Sequence, residues 1–259
     1  MPLDYLSHLR SDSARFLDTL RNAPAGAPVP SCPDWDADDL LWHLGQVQWF
    51  WGTVVADRLQ SVDGLEEPGR PGSRQELVTF FEEQSDRLRR ELAAADPSEE
   101  VYMWASEKNV GYIQRRQAHE ALIHRLDAEL VIGDVSPLDA ELASDGVLEV
   151  LDVMFGGCPP WGTFTPSGDQ VLVRVTDTGL EVPVALGRFT GTDPDGTSYD
   201  EDDISVSAAS SAEPAAVVSG PADDLDAWLW HRRDDTGLTR EGDRTVLDRF
   251  LAVLDQPLN

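Results

Sequence analysis

Cysteine is scarce in this chain. Cys32 and Cys158 are the only two, and they lack CxxC spacing. That excludes a disulfide-stapled scaffold, leaves room for at most one bridge, and fits a reducing, cytoplasmic setting. Lysine is scarcer still, with Lys108 alone. Basic charge is short overall: 20 Lys+Arg face 48 Asp+Glu, a formal net charge of -28. A field of that sign repels nucleic-acid phosphates and anionic membrane surfaces, so neither is expected as a partner. It reads as a solvated acidic surface that keeps the protein soluble. No apolar run approaches the ~18 residues of a membrane span. The N-terminal segment MPLDYLSHLRSDSARFL carries acids and lacks an apolar signal core, so it reads as a first helix. Internal repeats are absent, as are a P-loop, a dinucleotide fingerprint, a nucleophile elbow and a cysteine-nucleophile motif.

What is present is enough chain for two ordinary domains, 259 residues. Residues 1–155 read as helices. Leu3, Leu6, Leu9, Phe16, Leu17 and Leu20 mark the first. Asp36 caps a second, whose stripe is Leu40, Leu44, Val47, Trp51 and Val54. A third runs through Leu77, Phe80, Phe81, Leu88 and Leu92 and stops near Pro97. The fourth covers Asn109 to Ile132 and ends at Gly133, and a fifth covers Leu138 to Met154. Helices of this length suit a bundle. The texture changes at Gly156-Gly157-Cys158-Pro159-Pro160, which places a domain boundary there and a second domain over 156–259. That half carries β-branched runs at 171–175, 180–186, 204–206 and 215–218, then a helix after Pro221 and a last helix through Val246, Phe250 and Leu254. It is therefore α+β. The acidic, Gly-containing segment Thr190 to Asp203 is expected to be a loop.

The chemistry concentrates in the fourth helix. Residues 119–124, His-Glu-Ala-Leu-Ile-His, superficially match an HExxH zinc motif, but the spacing refutes it. His119 and His124 stand at i and i+5, roughly 140° apart around a helix. Glu120 and His124 stand at i and i+4, about 40° apart, and can share one ligand. Ile113, Gln117, Glu120, His124, Asp127 and Val131 form one face, which points polar groups toward the bundle interior. Gln114, Ala118, Arg125 and Glu129 are expected on the solvent arc. A buried carboxylate needs a partner or a metal, and a plain buried Glu–His pair would satisfy that. His43 adds a third group from the buried stripe of the second helix. Two imidazoles and a carboxylate make a zinc shell with an open fourth position, the catalytic type of site; nickel, iron or manganese would fit the same donors. Asp127 and Gln117 are candidates to orient the ligands from outside the shell. His119 is expected to be second-sphere or at the surface, and His8 and His231 carry no signal. Acid is expected to strip the metal as free histidines titrate near pH 6.5.

These segments resemble the mycothiol-dependent maleylpyruvate isomerase family of actinobacteria. The likeness rests on Val29-Pro30-Ser31-Cys32-Pro33-Asp34-Trp35, on Asp38-Asp39-Leu40-Leu41-Trp42-His43-Leu44-Gly45, and on Arg115-Arg116-Gln117-Ala118-His119-Glu120 through His124-Arg125-Leu126-Asp127-Ala128-Glu129. Ala216-Val217-Val218-Ser219-Gly220-Pro221 and Leu229-Trp230-His231-Arg232-Arg233 extend it to the second half. Asp34 departs from a glycine common in the family. The resemblance implies a DinB-like four-helix metal-binding bundle over 1–155 and a smaller, sterol-carrier-like α+β domain over 156–259. It also implies His43, Glu120 and His124 as metal ligands and mycothiol as cosubstrate.

A cation at those ligands would favour the thiolate of a bound thiol, which needs no protein nucleophile. Addition of that thiolate to a conjugated double bond and its departure gives isomerisation; keeping the bond gives an S-transferase. The expected partners are therefore a small thiol and a small electrophile. Arg116, Arg232 and Arg233 are candidates to neutralise a substrate carboxylate. A non-catalytic metal-binding or small-ligand-binding protein of the same fold is the alternative.

Overall fold

The computed structural model describes residues 3–206 and 213–256, and the outermost ends of the domains expected from sequence lie outside them. The chain forms two compact units, Met1–Pro137 and Leu138–Asn259. The first is a four-helix bundle of α1 (Tyr5–Asn22), α2 (Ala37–Asp57), α3 (Arg74–Ala94) and α4 (Val110–Ile132). In it α1 packs on α4, α2 on α3, and α2 also on α4. Phe16, Leu20, Leu40, Leu44, Leu77 and Phe81 meet in one core. Sequence reading found only helices here, but a short hairpin lies between α1 and α2. Its strands are β1 (Pro28–Val29) and β2 (Cys32–Asp36), antiparallel, with Val29 opposite Cys32.

Local signals set the ends of the two helices that carry the candidate ligands. The Asp36 side chain accepts from the N–H groups of Asp38 and Asp39, and the Asp39 side chain accepts from the N–H of Asp36, a closed capping box. Asn109 caps α4 by accepting from the Tyr112 N–H, and Gly133 ends it with φ of 72°, a conformation glycine adopts without strain. Asp36→Ala is expected to destabilise the bundle by about 1–2 kcal/mol through the loss of this box. A urea melt checks it; an unchanged midpoint would contradict the role given to the cap.

The second unit contains α5 (Ala140–Glu149), a π-helical turn (Val150–Phe155) and a mixed sheet with strand order β5-β4-β3-β6-β7. The strands are β3 (Gly162–Val175), β4 (Glu181–Thr192), β5 (Ser198–Val206), β6 (Ala216–Gly220) and β7 (Thr239–Gly242). β3 and β6 run parallel and the other neighbours antiparallel. Two helices, α6 (Ala222–Leu229) and α7 (Arg244–Leu254), complete the unit. Thus the division falls at Pro137/Leu138, earlier than the change of texture at Gly156, because α5 packs on α6 and the π-turn on β5.

The segment Thr190 to Asp203 is not a loop. It is most of the β4–β5 hairpin, closed by a turn in which the Asp193 carboxylate accepts from the Thr197 N–H at 2.8 Å. Arg188 on β4 pairs across to Asp200 on β5 at 2.7 Å, and this cross-strand charge offsets the acidity that hid the strand in the sequence. Among the described residues no helix is long and apolar enough to cross a membrane.

Candidate metal centre

His43 on α2 and Glu120 and His124 on α4 converge, each offering a donor atom, with all three donors within 4.8 Å of one another. Glu120 Oε1 lies 3.1 Å from His124 Nε2 and 3.5 Å from His43 Nε2. The two imidazole rings stand edge to face with centroids 4.8 Å apart. The i, i+4 spacing on α4 brings Glu120 and His124 to one side, and the α2–α4 packing delivers His43 to it.

Each ligand on α4 is held from behind. The Arg116 guanidinium donates to Glu120 Oε2 at 3.0 Å. Asp127 Oδ2 sits 2.9 Å from His124 Nδ1, and the Ser31 hydroxyl donates to Asp127 Oδ1 at 2.5 Å. From β2, the Trp35 ring packs against His43 at 4.7 Å and stands 6.5 Å from His124. Burial opposes the ionised form of Glu120, but hydrogen bonds with His124 and His43 and the nearby charges outweigh it and hold its carboxyl well below the usual range. Burial likewise opposes the charged form of His124, yet Asp127 and Glu120 outweigh it and push its pKa up to about 9.

The set fits a divalent cation. Two nitrogen donors and one carboxylate converge, the far atoms of Glu120 and His124 are tied to other groups, and this is the donor chemistry of an open zinc shell. A cleft of about 350 Å³ reaches His43 and is also lined by Trp35, Asp39, Trp42, Gln46 and Arg70.

Other sequence expectations resolve as follows. Ala118, Arg125 and Glu129 are buried, not on a solvent arc. α4 is enclosed by α1, α2 and β1, and its charges are paired: Arg125 with the buried Asp12 of α1 at 2.9 Å, and Glu129 with Arg125 at 3.2 Å and with the exposed Arg15. His119 is buried too, edge-on to Tyr5 at 6.3 Å, and stands outside the three-donor cluster. Gln117 is buried, and its Oε1 has no hydrogen-bond partner among the described residues. Arg116 is buried against Glu120. In the second unit, Arg233 pairs with Asp224 at 2.6 Å and Asp223 at 3.2 Å, and Arg232 donates to the Trp230 carbonyl at 2.6 Å. Cys32 and Cys158 are not joined in a disulfide. Sequence reasoning did not assign Ser31 or Arg70; Ser31 lies in the quoted Val29–Trp35 motif, but nothing local shows that it reaches Asp127, 96 residues away.

Two family models account for nearly the whole chain. The mycothiol maleylpyruvate isomerase N-terminal domain matches residues 6–129, and the MDMPI C-terminal domain matches 141–249. The chain belongs to the mycothiol-dependent maleylpyruvate isomerase family. Both domains of that family are present in order, and all three converging donors fall within the first. Solved structures of a mycothiol-dependent maleylpyruvate isomerase and of a histidine-to-alanine mutant share the fold, with TM-scores of 0.58 and 0.57. In both cases identity is 14% and the alignment covers 93% of this chain and 93% of the other. No curated protein matches the sequence.

Proposed function

We propose that this chain is a cytoplasmic, metal- and mycothiol-dependent isomerase or S-transferase acting on a small electrophile. The observation that carries the reading is the convergence of His43, Glu120 and His124 within 4.8 Å, in a chain of this family. Those three residues would hold the divalent ion, zinc first among the candidates. When bound, the ion supplies the positive charge that favours a thiolate over a thiol at neutral pH. The protein's own part is orientation. Asp127 holds the Nδ1 side of His124, and Arg116 holds the outer oxygen of Glu120, so the inner atoms of both face the open position. Trp35 and Trp42 wall the cleft and limit water around the reacting thiol. We assign the substrate's carboxylate, if it has one, to Arg116, Arg232 or Arg233. Each now has a partner in the protein, so it would have to exchange or share that bond. Arg70, in the cleft beside His43 and paired with Asp39 at 2.6 Å, is a fourth candidate.

The test is turnover. Metal-loaded protein is assayed with mycothiol and a panel of electrophiles that includes maleylpyruvate, and then again after chelation. The expected result is thiol-dependent conversion that chelation abolishes and metal restores. Conversion that survives complete removal of metal would sink the metal-dependent reading. A metal-loaded protein inert toward the whole panel would favour the non-catalytic alternative. One observation lends that rival weight: Arg116, Glu120, His124 and Asp127 already form a charge-matched chain.

A further inference from the structure

The geometry points to Ser31, on the turn of the β1–β2 hairpin, as a positioning residue that sets the metal-facing orientation of His124 through Asp127. The inference rests on the metal reading above and extends it outward from the ligands to a second element of the fold.

Asp127 is wholly buried on α4. A carboxylate at such a place is stable only when its oxygens are engaged. Oδ2 faces His124 Nδ1 at 2.9 Å, and Oδ1 accepts the Ser31 hydroxyl at 2.5 Å. With Nδ1 committed to Asp127, Nε2 is the nitrogen directed at Glu120 Oε1 and into the donor cluster. Ser31 therefore bears on the metal position at one remove.

The hydroxyl is well placed for this. Val29 pairs with Cys32, so Pro30 and Ser31 make a two-residue turn. Pro30 restricts its own backbone, which narrows where the Ser31 side chain can point. The same hairpin sends Trp35 against His43, the ligand from α2. One short hairpin thus braces imidazoles that come from two different helices.

A bond that only stabilised the fold would lower the melting point and leave the metal's surroundings alone. A positioning bond changes affinity and coordination as well. The experiment uses the full-length protein stripped of metal. Zn²⁺ and Co²⁺ affinities are measured by competition with a chromogenic chelator, and the visible spectrum of bound Co²⁺ is recorded. Ser31→Ala is expected to weaken both ions by about 10-fold and to shift the Co²⁺ bands, with Asp127→Asn at or above that loss. Ser31→Thr, which keeps the hydroxyl, should restore both readings. Ser13→Ala removes a different bonded hydroxyl, the one that accepts from Gln48 at 3.0 Å, and should lower the melting point while sparing the metal. A Ser31→Ala protein with wild-type affinity and spectrum would overturn the inference while leaving the metal site intact. Wild-type protein that binds neither ion would overturn the metal reading itself, and this inference with it.

Discussion

His43→Ala and His124→Ala are each expected to lose their metal, while His119→Ala keeps it. The first two remove a donor from a three-donor set. Affinity should drop by more than about 100-fold, beyond the range typical of outer-shell partners. His119 neighbours Glu120 in sequence but projects elsewhere, against Tyr5 of α1. Its removal leaves a buried cavity, so His119→Ala should cost on the order of 2 kcal/mol in stability and nothing in stoichiometry. Elemental analysis of proteins prepared without chelator, paired with thermal melts, separates the two effects. Metal lost from His119→Ala alone would place the ligands on the wrong register of α4.

The second large effect is a pH dependence of the metal-free protein that metal loading removes. In the metal-free site, the His124 pKa is raised to about 9. A raised folded-state pKa gives stability that is complete below the unfolded value, near 6.5, and is lost as pH rises through 9. The swing is on the order of 3 kcal/mol, since each pKa unit is worth about 1.4 kcal/mol. Glu120 is shifted the other way, so its contribution is present above its unfolded value and disappears only in stronger acid, as pH falls through the depressed one. Metal-free protein should therefore melt lower at pH 9.5 than at pH 6.

An ion at His124 must displace that proton, so affinity should climb with pH up to about 9. Free histidine sets the start of that competition near pH 6.5, and Asp127 and Glu120, by favouring the imidazolium of His124, extend it to higher pH. Loaded protein should hold its stability over the range in which the metal-free form loses it, since the rising affinity of the fold for the ion offsets that loss. Thermal melts from pH 6 to 9.5, with zinc or with chelator, test both limbs. Parallel curves would show that the His124 proton and the metal do not compete.

Much of this was legible along the chain, wherever the physics is local. Helix periodicity located α1 to α4, and side-chain capping by Asp36 and the αL glycine at 133 marked ends that the structure reproduces. The i, i+4 spacing of Glu120 and His124, against the i, i+5 spacing of His119 and His124, already put His124 beside Glu120 and left His119 outside the cluster. The β-branched runs found one end of each of β3 to β6 but understated the length of the strands, since most of β5 is acidic and is stabilised by pairing with β4.

What only the tertiary structure decided is the surroundings of α4. An amphipathic pattern assigns charged residues to solvent, and it failed for Arg125 and Glu129 because their charges are matched by Asp12 and Arg15 on α1. A buried charge is tolerable when it is paired, and no window of sequence holds Asp12 or Arg15 together with α4. Ser31 and Asp127 make the same point across 96 residues. The sequence by itself determined which side chains could bind a metal and which helix turns carry them. The packing of α1, α2 and the hairpin around α4 decided which charges are balanced, which nitrogen of His124 faces inward, and how firmly it is held, because these depend on contacts between elements and not on the period of any one of them.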